Sequence, residues 1–235
     1  MVNLISRNAS RSAIGRFGPR FRIGFWRWVA CIALSLIAVT LILPSSRRFL
    51  LLSAGHALVE HSTAVDSADV IVVAIDSGGA GTLEAADLVH RGVSQQVAVF
   101  HDPPTAADRE FLRRGLPYDD RAAISTHQLR ILGVEKIEQI PRSTTGSEEE
   151  GEILPGWCQR RGYRSVVIVT SADHSRRIAR ILHRALRGNR IGITVIASPY
   201  SSFNPDSWWK TRAGTRTEIV ESEKLLLDMI RHPFS

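Results

Sequence analysis

The sequence predicts an α/β fold: a three-layer Rossmann-like sandwich around a mainly parallel sheet, preceded by one N-terminal transmembrane helix. Three observations predict it. An uncharged, mostly apolar run occupies residues 28–43. Beyond it, short β-branched runs (DVIVVAID at 69–76, QQVAVF at 95–100, SVVIVT at 165–170) alternate with helical patterns, as parallel strands covered on both faces do. The length left after the N-terminal region, about 180 residues, suits one domain with its own core.

Residues 1–24 read as a basic tail. Six arginines and no acid fall within residues 1–27. The chain of 235 residues carries a formal charge of +7, yet the part beyond residue 27 carries only +1. The basicity is therefore tail-borne, which argues against a nucleic-acid partner. With 44% hydrophobic and 23% charged residues, the chain is neither disordered nor wholly membrane-embedded.

Residues 25–44 form the expected membrane segment. The apolar run covers about 24 Å at ~1.5 Å per residue, and Phe25 and Trp26 lengthen it toward the roughly 30 Å of a hydrocarbon core. An uncleaved signal anchor is the expectation, with a cleaved signal peptide as the alternative. The arginines before the run outnumber Arg47 and Arg48 after it, which puts the N-terminus in the cytoplasm and the body on the extracytoplasmic side of an inner (cytoplasmic) membrane. Residues 45–66 read as a linker, with a short amphipathic helix over 47–61. Residues 67–235 are the α/β domain.

Within it, strands are expected at 69–76, 95–100, 137–140, 165–170 and 191–197. Helices are expected to about Arg91, then at 105–114, 120–132, 147–161, 175–187 and 217–231. In such sheets ligands bind beyond the carboxyl ends of strands, which selects the loops after Ile75, Ile140 and Val169. The first, Asp76-Ser77-Gly78-Gly79, is either a phosphate-approaching turn or a plain strand-to-helix connection; it lacks the spacing of dinucleotide and P-loop motifs. In the second, Ser147 and Glu150 have capping-box spacing, while Ser143, Thr144 and Thr145 exceed what capping needs. The third, Thr170-Ser171-Ala172-Asp173-His174-Ser175-Arg176-Arg177, delivers hydroxyls, an imidazole and two guanidiniums to one helix start. Either His174 caps the helix and the arginines are solvated, or His174 is an acid/base beside an anion clamp.

Other features are plainer. Cys31 and Cys158 make no disulfide framework, and Cys158 is expected to be packed and inert. His101 and Asp102 form either a turn or a polar, metal-facing corner. Trp208 and Trp209 serve packing or stack on a ligand. The sequence holds no H-E-x-x-H, C-x-x-C or G-x-S-x-G motif.

The stretch STTGSEEEGEILPGWCQRRGYRSVVIVTSADHSRRIARIL resembles the YdcF-like family, which includes SanA- and ElyC-like envelope proteins. The matching positions are Ser143, Thr144, Glu148, Val169, Thr170, Ser171, His174 and Arg177. Asp76–Gly79, Gly133-Val134, and Trp208, Trp209, Glu221 and Lys224 are also similar, so the likeness spans roughly residues 68–228. Three places depart from the family pattern: no arginine follows the glycines after Asp76, the second strand ends His101-Asp102-Pro103-Pro104, and Thr145-Gly146 stands where an Asn-Thr pair is expected. The resemblance implies a role in envelope biogenesis or barrier integrity, and the expected function there is binding or processing of an anionic, phosphate- or lipid-linked envelope substrate. His174 and Glu148 would then be catalytic, with Asp76, Ser77, Gly78, Gly79, Ser143, Thr144, Thr170, Ser171 and Arg177 binding the ligand. A non-catalytic binding or scaffold domain, S-adenosylmethionine binding as in some relatives, or nucleotide binding, which would require the reverse topology, is the alternative. No metal is expected, and cofactor, enzymatic status and oligomeric state stay open.

Overall fold

The computed structural model of the protein describes residues 28, 29, 31, 32, 35, 43–62 and 64–234. The basic tail and most of the expected membrane segment 25–44 lie outside these residues. No helix among the described residues is long and apolar enough to cross a membrane. The chain divides into two units, residues 1–49 and 50–235, and everything below concerns the second unless stated.

Helix α1, Pro44–Ala57, bridges the boundary between the units. It opens on proline, whose missing N–H costs nothing in a first helical turn. The domain follows as β1 (Val70–Val73), α2 (Gly78–His90), β2 (Gln96–His101), α3 (Ala106–Arg113), α4 (Arg121–Ile131), β3 (Lys136–Ser143), α5 (Ser147–Arg161), β4 (Ser165–Thr170), α6 (Ala172–Ala185), β5 (Gly192–Ala197) and α7 (Arg212–Arg231). The five strands form one sheet in the order β3-β2-β1-β4-β5, and every pairing is parallel. This is the Rossmann-like arrangement, with its reversal of direction between β1 and β4.

Period-two alternation along the strands sorts the core into two layers. Val70, Val72, Ala98, Phe100, Val166 and Ile168 face α5 and α6, where Trp157, Ile178 and Leu182 cover them. Ile71, Val73, Val97, Val99, Val167 and Val169 face α2 and α4, against Ala85, Leu88, Ala122 and Leu129. Both faces of the sheet are covered, giving the three layers the sequence predicts. Cys158 is buried in the first layer, where burial pushes its thiol up to about 12 and keeps it unreactive.

Several boundaries differ from expectation. β1 stops at Val73, because Ile75–Ser77 wind into a 3-10 turn and Gly78 (φ 54°, ψ −147°) then turns the chain into α2. That backbone is open to glycine and strained for other residues. β3 runs on to Ser143, following the edge of β2 past a bulge at Phe100/His101. α6 starts at Ala172 and α7 at Arg212, three and five residues earlier than the apolar periodicity alone suggests. The linker helix ends at Ala57, and residues 58–60 leave it through a turn as a clasp on α6.

Candidate functional site

The crossover from β3 to β4 passes over the carboxyl ends of β2 and β1, and this path assembles the site. Thr144, just past β3, donates its N–H to His101 O on β2 at 2.9 Å, and its hydroxyl donates to Gly146 O. One turn into α5, Glu150 reaches the end of β1: its Oε1 accepts the Ile75 N–H at 2.6 Å. The Ile75 carbonyl in turn accepts from Arg121 Nη1 at 2.7 Å, and Arg121 N–H donates to Asp102 Oδ1 at 2.6 Å. Beside it, His101 pairs with Asp120, the N-cap of α4. The His101-Asp102 corner is thus a helix-start brace. Among the described residues, no group of three or more His, Cys, Asp or Glu side chains is arranged to hold a metal ion.

Glu150 is fully buried, and burial pushes its carboxyl up to about 8 against the pull of the Ile75 N–H; Asp76 raises it further, while Arg177 and His174 lower it. It is a neutral acid at pH 7, with Oε2 buried and without a hydrogen-bond partner among the described residues. The capping-box expectation for Ser147 and Glu150 is therefore corrected. Gly146 occupies the N-cap, Ser147 is the first helical residue, and Glu150 serves the sheet end instead.

The β4 end supplies two more such groups. Thr170 closes the strand and Ser171 is the N-cap of α6, yet the buried Oγ1 of Thr170 and Oγ of Ser171 have no hydrogen-bond partner among the described residues. His174 sits in the first turn of α6. Its Nδ1 lies 2.9 Å from Glu221 Oε2 and its Nε2 lies 3.4 Å from Asp173 Oδ2. Burial disfavours the imidazolium, but the Glu221 hydrogen bond and the charges of Asp173, Glu221 and Asp76 outweigh it and raise the His174 pKa. Arg177 and Lys224 complete the group around Glu221, at 3.3 and 2.7 Å. Burial raises the Glu221 carboxyl, and its cationic neighbours reverse this, holding it at about 2.

The sequence-predicted residues divide accordingly. Asp76, Thr170, Ser171, His174 and Arg177 stand around the β1/β4 switch point, while Thr144 is buried at the end of β2. Ser77 is buried there, but its hydroxyl is spent on Ala74 O at 2.6 Å. Gly78 and Gly79 are exposed first-turn residues of α2. Glu148 is exposed and pairs with Arg184 at 3.3 Å. Ser143 is exposed at the tip of edge strand β3. Arg177 is no free anion clamp, since Glu221 already neutralises it. Glu150 and Glu221 are the functional candidates that local pattern misassigned or left without a role; the signal for Glu150 was an acid two residues past the one chosen, on the inward face of α5.

A mainly apolar cavity of about 240 Å³ adjoins this cluster at Ile75 and Gly78, lined also by Val73, Val99, Phe100 and Arg121. No protein-family model and no curated protein matches the chain. Among solved structures, guanylylpyridinol- and ATP-bound HcgE from Methanothermobacter marburgensis is similar at 12% identity, covering 74% of this chain and 100% of that one, with a TM-score of 0.29. A likeness of that size carries no argument about function.

Proposed function

We propose that the protein is a membrane-anchored, extracytoplasmic envelope protein whose domain binds a small polar ligand at the β1/β4 switch point. The observation that carries this is the trio Glu150 Oε2, Thr170 Oγ1 and Ser171 Oγ. They are buried polar atoms by the ends of β1 and β4 with no hydrogen-bond partner among the described residues, which supports a ligand as the missing partner. A neutral acid and two hydroxyls donate and accept, beside His174, whose two ring nitrogens are held by Glu221 and Asp173. That set suits a phosphate- or sugar-bearing group, and the neighbouring apolar cavity suits a less polar remainder, in keeping with the phosphate- or lipid-linked substrate expected from the sequence. His174 has a carboxylate on each ring nitrogen, which favours a fixed imidazolium donor over a general base. Turnover, if it occurs, would use Glu150 or His174 as the acid.

The test is native mass spectrometry of the full-length protein extracted in mild detergent, beside a Thr170→Val/Ser171→Ala double variant. An added mass on the wild type that the double variant loses supports the site; a wild type without added mass, or one retained by the double variant, removes it. Placement across the membrane is checked separately: a C-terminal alkaline phosphatase fusion should be active and a cytoplasmic reporter at the same position silent.

A further inference from the structure

Helix α7 is amphipathic the wrong way round for a water-facing helix. Its buried positions are Glu218, Glu221, Leu225 and Asp228, three acids in four. Two of these acids meet a basic stripe on α6: Glu221 takes His174 and Arg177, and Asp228 takes Arg180 at 2.7 Å and Arg184 at 3.0 Å. The outer side carries the apolar residues. Ile219 is 61% exposed, Leu226 57% and Ile230 67%, with Val220 and Leu227 beside them. Positions 219, 226 and 230 fall on one helical line, interrupted by exposed Glu223. Soluble domains seldom leave so many large apolar side chains on one helix face in water.

The surroundings of the stripe say what covers it. Exposed Lys210, Arg212 and Arg216 flank its start and Arg231 its end, while Glu223 is the single exposed acid of the helix. Past the C-terminal end, a cleft of about 250 Å³ is lined by Arg184, Arg187, Arg231 and His232 and closed by Phe234, itself 90% exposed. An apolar stripe rimmed by guanidiniums, with a cationic cleft beside an exposed aromatic ring, matches acyl chains below anionic headgroups. On the membrane-anchored reading proposed above, the helix is also tied to the membrane-proximal end of the domain: the 3-10 turn Trp208–Lys210 leads into it, and Trp208 Nε1 donates to Leu51 O of α1 at 2.9 Å.

We propose that the outer face of α7 lies on an anionic bilayer surface, with Ile219, Leu226 and Ile230 in the acyl boundary and Arg212, Arg216 and Arg231 among the headgroups. The experiment uses the full-length chain with Cys31→Ser, leaving only buried Cys158, reconstituted in phosphatidylethanolamine/phosphatidylglycerol vesicles or in phosphatidylcholine. Single cysteines at Leu226, Ile230 or, on the opposite face of the sheet, Ile131 carry an environment-sensitive dye, and the vesicles contain spin-labelled lipid. The expected result is blue-shifted, lipid-quenched emission at 226 and 230 but not at 131, stronger on anionic vesicles. Arg231→Gln should lower the ratio of docked to undocked protein about fivefold, and Glu223→Gln should raise it. Emission at 226 and 230 as water-like as at 131 overturns the proposal. So does Leu226→Cys cross-linking between copies without lipid quenching, which would make a second copy the cover.

Discussion

Glu150 and Ile75 are joined across the switch point by a 2.6 Å hydrogen bond, though 75 residues separate them. The bond fastens the start of α5 to the end of β1, and it leaves one carboxyl oxygen for the crevice.

Protonation of Glu150 gives the fold a pH signature. Its carboxyl moves from 4.5 to about 8 on folding, so the folded state holds a proton that the unfolded chain releases. Stability is fully present below pH 4.5 and is lost as pH rises toward 8, by an amount on the order of 5 kcal/mol at most. Glu150→Gln keeps an acceptor for Ile75 and cannot ionise. Urea titrations from pH 5 to 9 should show a falling midpoint in the wild type and a flatter profile in the variant; equal slopes would mean that Glu150 ionises normally.

Glu221 should be costly to neutralise. Glu221→Gln strips the counter-charge from His174, Arg177 and Lys224 at once, and a loss of about 3 kcal/mol at pH 7 is expected in chemical denaturation. Two pH limits follow. The raised His174 contributes stability below pH 6.5 that fades as pH rises through its folded value. The lowered Glu221 contributes above pH 4.5 and is lost as pH falls toward 2. A Glu221→Gln chain as stable as the wild type at pH 7 would contradict the pairing.

Thr170→Val separates binding from folding. The Thr170 hydroxyl has no hydrogen-bond partner among the described residues, so the substitution should shift stability by no more than about 1 kcal/mol while ligand retention falls. A large destabilisation would show that the hydroxyl serves the fold.

Gly55 is a packing position. A Cβ there would stand 2.5 Å from Pro205 O and 2.7 Å from Trp208 Cδ1. Gly55→Ala should cost about 1–3 kcal/mol and raise hydrogen exchange in α1 and around Trp208, leaving the sheet protected. Unchanged exchange would mean that α1 does not pack there.

Much of the scaffold was legible because strands buried on both faces announce themselves: β4 begins and ends where its apolar run does, and α5 spans 147–161 as its periodicity and glycine stop indicate. The site was less legible because its bonds are long-range. Ser147 and Glu150 have the spacing of a local cap, and only the passage of the β3–β4 crossover above β1 reveals that Glu150 caps the sheet instead. Glu148 drew attention as the acid in the matched motif, yet helical geometry turns it outward to Arg184. The acids of α7 look like a solvated face in sequence, because nothing local shows that α6 presents four bases to them.

The clasp at residues 58–60 has a mechanical meaning. Leu58 O accepts the Arg176 N–H at 3.0 Å, Glu60 N–H donates to Ser175 Oγ at 2.8 Å, and Val59 O accepts from Arg176 Nη2 at 2.8 Å. These bonds grip the residues immediately following His174. A pull that freed α1 from its contacts with Trp208 and Asp206 would next be borne by the first turns of α6, beside the crevice.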